Sequence, residues 1–401
     1  MASVERMLPW MRPIATGAPK GIKALVRLRI VTGFTLILIA LMGVLGADWD
    51  IQWHAVIGRD RTFTPPHDLI LLGITLSGTV ALINILIETY WSRRHPNLRA
   101  YATDFLGILH SSLGSYLIGF GAVCSAVAFP LDTYWHSLYG IDVSLWGPFH
   151  VMIYMGSMLS TFGVIYLVLS ATHLSQMQHD HRAVLFIYAG IVVSLGILLS
   201  KFSTFLTPAL KGGHLHLAFL TLSFFPFLMA LVAVFVCVLT VRLVPWMGAA
   251  SMMMIVFLLV FLLVSAFVPP MTTLLVQSEH ETYLARASGI GSTIVPLLGQ
   301  TPMLLLTALS LDGVVWLGRR RRWELMTMNK WELIAATVSM ILVTGFILVQ
   351  SEVNERAVRA GGIRGSLVLG LVLSLLLTVF GSLLGNWLAH SMSQTMRALR
   401  R

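Results

Sequence analysis

The sequence predicts an all-α integral membrane protein, with about ten transmembrane helices arranged as helical hairpins and with an internal repeat. Three observations carry that prediction. Of the 401 residues, 57% are hydrophobic and 11% charged, with a mean hydropathy of +0.83. A water-soluble domain of this size needs far less apolar surface. Ten apolar runs reach the roughly 20 residues that a helix needs to cross a bilayer. Two of the connections between those runs repeat one polar pattern.

The runs lie near 28–47, 68–91, 105–130, 150–172, 183–201, 216–242, 247–269, 289–317, 332–350 and 366–389. The run at 289–317 is the least regular, interrupted by "VPLLGQTP". The first begins near Ile30, behind a set of cationic side chains and without a small-residue cleavage site, and reads as a retained span. This divides the chain into a basic N-terminal tail (1–29), a first hairpin with its polar loop (30–91) and a second hairpin with the repeated loop (105–172). A remaining transmembrane bundle (183–390) and a basic C-terminal tail (391–401) follow. Lys and Arg collect in the two tails, in "SRRHPNLR" and in "GRRRRWELMTMNK". The positive-inside rule then predicts a multi-pass protein of the cell (inner) membrane, with both termini cytoplasmic and the loops at 48–66 and 131–149 extracytoplasmic. A basic cytoplasmic fringe accounts for the net charge of +10, so the expected partner is the lipid bilayer and not nucleic acid. Cys124 and Cys237 both fall in apolar runs, as small hydrophobes do, and no CxxC or disulfide framework is available.

The repeated loops are "DIQWHAVIGRDRTFTPPH" (50–67) and "DTYWHSLYGIDVSLWGPFH" (132–150). They share Asp50/Asp132, Trp53/Trp135, His54/His136, Gly58/Gly140, Asp60/Asp142, Pro65/Pro148 and His67/His150. Asp50 and His54 are four apart, so a helix continuing this far projects both from one face. His67 opens the next helix, where Thr64 is placed to cap and Pro65 suits the first helical position. Its place at a helix N-terminus keeps the imidazole neutral and able to ligate. A carboxylate and two imidazoles converging at a membrane boundary suit copper, zinc or iron better than magnesium or calcium. For one such residue alone, a solvated loop or interfacial side chain is the better reading; the duplicated set favours a metal site. Trp53 and Trp135 read as interfacial anchors, and Asp60 and Asp142 as turn residues or as groups orienting a histidine. The second loop carries one extra residue between its histidines. That insertion is expected to shift a ligand, making Asp50, His54 and His67 the stronger site and Asp132, His136 and His150 the weaker.

The first loop resembles the metal-site segment of the C subunit of the copper membrane monooxygenases, the particulate methane and ammonia monooxygenase family. Asp50, Trp53, His54, Arg59, Asp60, Phe63, Thr64, Pro65 and His67 carry the likeness. The resemblance implies that Asp50, His54 and His67 are copper ligands. It also implies an integral helical subunit that works with A- and B-type subunits in an oligomeric oxygenase, using dioxygen on a small apolar or weakly polar substrate. The likeness is confined to residues 50–67, and this chain is longer than that family's usual C subunit. For the second loop the metal reading rests on the internal repeat. Zinc is the expected substitute, since it tolerates the same donors. The competing reading is a non-catalytic protein that binds or transports copper or zinc.

Other polar clusters read more plainly. His173, His179 and His181 suit an exposed linker as well as a metal, His214 and His216 suit a polar cap to the sixth helix, and Glu279, His280 and Glu281 read as solvated. Glu88 is expected to snorkel to the cytoplasmic interface, and Met252–Met254 to form a packing stripe.

Overall fold

In a bilayer every backbone N–H and C=O has to be satisfied within the protein, so long apolar runs become uninterrupted helices. The computed structural model describes residues 21–57, 63–139, 145–212, 214–217, 220–283, 301–358 and 365–398. They form α1 (Ile22–Val56), α2 (Pro65–Arg94), a single turn α3 (Pro96–Arg99), a hairpin of β1 (Thr103–Phe105) and β2 (Leu109–Ser111), α4 (Leu113–Tyr139), α5 (Pro148–Met177) and α6 (His181–Gly212). A second hairpin of β3 (His214–Leu217) and β4 (Leu220–Ser223) leads into α7 (Phe225–Leu243), α8 (Ala249–Ser278), α9 (Thr301–Arg321), α10 (Leu325–Val358) and α11 (Gly365–Ala398). Among the described residues, nine helices are long and apolar enough to cross a membrane. The irregular run at 289–317 begins outside the described residues and is helical from Thr301. The expected helical cap at His214 and His216 is instead an antiparallel strand pair, His214–Leu217 against Leu220–Ser223.

The helices pair as hairpins where the sequence places them adjacent, α1 along α2 and α4 along α5, while α7 lies chiefly along the last helix, α11. Without lipid-driven burial, transmembrane helices pack through close van der Waals approach, which small residues permit. On α4 and α5 those residues are Gly114, Gly121, Gly156 and Gly163. A Cβ built on Gly121 would stand 2.4 Å from both Gly156 O and Ser160 Oγ. We expect Gly121→Val to wedge the hairpin apart, at about 1–3 kcal/mol or more. Gly119→Val is the control, because its added Cβ meets nothing within 4 Å. Thermal unfolding of the purified chain decides, and equal melting temperatures for the two variants would reject the close-packing account.

One end of the bundle is held by a buried polar network that corrects two sequence expectations. Arg29, grouped with the basic tail by sequence, lies inside α1 and is 1% exposed. Its Nε donates to Glu88 Oε1 at 3.0 Å and its Nη2 to Glu88 Oε2 at 2.9 Å; Nη1 reaches Ser170 Oγ and Nη2 also reaches Tyr101 O. Glu88 therefore does not snorkel. It also accepts from Asn84 Nδ2 and from the Ser112 backbone N–H, so both carboxylate oxygens are used twice. The tail reading fails because α1 begins at Ile22, two turns before Arg29, and carries the guanidinium inward. Arg29 and Asp50 are 21 positions apart on α1, and so are His67 and Glu88 on α2. At 1.5 Å per residue both intervals span about 31 Å, close to the roughly 30 Å hydrocarbon core.

Candidate metal centre

The site exists because α1 outruns its apolar segment. It stays helical to Val56, so Asp50 and His54 share a face at its far end. α2 starts at Pro65, with Thr64 extended before it (φ −113°, ψ 154°), which puts His67 in the first turn. The expected cap does not form: Thr64 makes no side-chain capping bond. The double proline supplies a reason, since residue 66, a usual capping donor, has no N–H to offer. The second hairpin repeats the construction, with Asp132 and His136 near the end of α4 and His150 just inside α5 behind Pro148.

Each set closes on its carboxylate. Asp50 Oδ1 stands 3.0 Å from His67 Nε2 and 3.5 Å from His54 Nε2. Asp132 Oδ2 stands 3.2 Å from His150 Nε2 and 3.4 Å from His136 Nε2. Within each set all three donor atoms lie within 4.8 Å of one another, and each set could hold a metal ion. With metal–donor bonds of about 2.0–2.2 Å, tetrahedral coordination separates neighbouring donors by about 3.3–3.6 Å. The observed carboxylate–imidazole separations, 3.0–3.5 Å, overlap the lower part of that range, so the residues fit a metal with little movement. Three protein donors would leave a fourth position open, the arrangement associated with reactive rather than purely structural sites.

The extra residue in the second loop does not spread its donors. Both histidines sit two positions after the proline that starts their helix, so each helix fixes its histidine whatever the loop length. What differs is the surroundings. His67 packs edge-on against Phe129 of α4, with centroids 5.5 Å apart, so the second hairpin covers that side of the first set; Trp53, one turn after the Trp49 that packs on Phe267 of α8, is 2% exposed. Trp53 is therefore a core residue and not an interfacial anchor. Trp135 is half-buried against Tyr139 and Phe149, and His150 is 22% exposed against 13% for His67. Gly58, Asp60, Gly140 and Asp142, with Arg59 and Arg61, lie outside the described residues.

The first set, with Asp132 and His150 of the second, lines one cavity of about 490 Å³ between α1, α2, α4, α5 and α6. Its walls are mostly apolar, with Leu36, Ile39, Val44, Ile70 and Ile74 among them. No family model, curated protein or solved structure matches the chain. Sequence reasoning missed a polar shelf in the same cavity, made of Asp48, Tyr154, Ser157, Thr161, Lys201 and Thr204. Thr204 Oγ1 donates to Asp48 Oδ1 at 3.1 Å. An ionisable residue at the edge of an apolar run, here Lys201, was the available signal. Among the described residues no other group of three potential donors meets; the side chain of His173, read with His179 and His181 as a candidate, lies outside them. Met253 and Met254 are buried in the helix core, as a packing stripe requires.

Proposed function

We propose that the chain is a copper-binding component of a membrane monooxygenase that uses dioxygen to oxidise a small apolar or weakly polar substrate. The observation that supports this reading best is the pair of Asp/His/His sets, of which Asp50, His54, His67, Asp132 and His150 open onto one mostly apolar cavity between helices long enough to span a membrane. Asp50, His54 and His67 would hold one ion, and Asp132, His136 and His150 a second. Two imidazoles and a carboxylate suit copper, with zinc next. When bound, copper would supply the redox chemistry with dioxygen. The chain's own part is to hold the donors rigidly on helix ends, to admit an apolar molecule from the bilayer, and to exclude water with the aliphatic walls. On this reading A- and B-type subunits complete an oligomeric enzyme.

Metal content, paramagnetic resonance and co-purifying subunits, measured on protein from native membranes, test the proposal together with oxygen uptake. We expect retained copper and substrate-dependent oxygen consumption; copper-free preparations, or copper without any oxygen consumption, would count against it. A second reading, copper or zinc transport, draws on the ionisable shelf of Asp48 and Lys201 beneath the two sets. Under either reading we place both termini in the cytoplasm. Single cysteines at Phe63 and Asn97, both exposed, should then label from opposite faces of the membrane. Labelling of both from one face would overturn that orientation.

A further inference from the structure

Lys201 stands in the cavity wall on α6 and is 6% exposed. Its ammonium donates to Ser157 Oγ at 2.7 Å, to Thr161 Oγ1 at 2.8 Å and to Ser157 O at 3.2 Å. All three acceptors are neutral and belong to α5. The protein treats its other buried cations differently, giving Arg29 the carboxylate of Glu88 and Arg242 that of Glu332. Among the described residues, no carboxylate stands within ion-pair distance of Lys201. Asp48, which lines the same cavity, accepts from Thr204 instead.

A cation kept at membrane depth without a counter-charge is costly, and such groups mark places where charge is used. The surroundings indicate the use. Tyr154, one helical turn before Ser157 on α5, also lines the cavity, and its hydroxyl has no hydrogen-bond partner among the described residues. An ammonium and a phenolic hydroxyl together offer donors and positive charge in a chamber that also carries Asp48, Thr204, several serines and donors of the two Asp/His/His sets, and whose walls are otherwise mostly apolar.

We propose that Lys201 supplies the counter-charge for an acid, and that the cavity takes a small aliphatic carboxylate. Its anionic head sits at Lys201 and Tyr154, and its hydrocarbon part lies along the aliphatic walls. The inference rests on reading the cavity as a ligand chamber, and it narrows the substrate class from any small apolar molecule to one ending in an acid. It does not depend on which metal the two sets hold.

Butyrate, 1-butanol and butylamine, titrated calorimetrically into the full chain in detergent with and without metal, test it. Wild type should bind butyrate at least tenfold more tightly than 1-butanol and should not bind butylamine. Lys201→Arg should retain butyrate binding, whereas Lys201→Met should weaken it at least tenfold. Lys201→Met should also keep its melting temperature and metal content, since it removes the desolvation cost of an unpaired buried charge and Thr161 Oγ1 still donates to Ser157 O at 3.0 Å. Butyrate binding untouched by Lys201→Met overturns the proposal, including the case in which that binding requires metal and the anion simply ligates it. Loss of fold in Lys201→Met overturns it too, because the ammonium would then be a brace between α5 and α6. Metal retention by the same variants reports separately on the two Asp/His/His sets.

Discussion

Glu88→Ala is expected to leave little folded protein. The substitution strands the Arg29 guanidinium, 1% exposed, with no counter-charge, and removes the acceptor used by Asn84 and by the Ser112 N–H. Removing one partner of a buried pair typically costs about 3–5 kcal/mol, because the other charge stays behind. That is a large share of the roughly 5–15 kcal/mol that holds a domain together. The double variant Arg29→Met/Glu88→Leu should recover most of the loss, since neither charge is then stranded. Melting temperature and monodisperse yield in detergent measure both effects. A Glu88→Ala protein that melts like wild type would show that this network does not hold α1, α2 and α5 together.

The second large effect concerns the metal. His54→Ala should remove one equivalent of bound copper and leave the other, and His136→Ala should do the converse. Even changes to groups that only orient a ligand cost about 10–100-fold in affinity, so loss of a donor should exceed that range. Chelator challenge should strip the second site first, because His150 is the more exposed histidine while His67 lies under Phe129. Stoichiometry followed during the challenge decides the order. If His136→Ala loses the tightly held ion and His54→Ala keeps it, the ranking of the two sites is reversed.

Much of this was readable from local spacing. The Asp–x3–His step on a helix and the Pro–x–His start of the next are short-range patterns, and short-range patterns survive folding. The spans were readable for the same reason, because a bilayer penalises any other use of a long apolar run. Arg29 and Glu88 were misread because their roles depend on residues far along the chain: Ser170, Tyr101 and Ser112. Lys201 escaped notice likewise, since nothing near it announces that α1, α5 and α6 enclose one space. Trp53 was misassigned because the burial of its face of α1 depends on helices far along the chain, as the packing of Trp49, one turn earlier, on Phe267 of α8 illustrates.

The matched 21-position intervals on α1 and α2 make the protein a gauge of its lipid. One end of the gauge is a satisfied ion pair that cannot leave its network cheaply, and the other is a pair of donor sets that, on the proposed reading, ions would reach from water. A bilayer thicker than the gauge submerges the donor sets beneath acyl chains, and a thinner one lifts them into the headgroups. Helix tilt can absorb such a mismatch for a fraction of a kcal/mol per ångström. Here two hairpins cross-braced at Arg29 would have to tilt together, so acyl-chain length should govern how readily ions load.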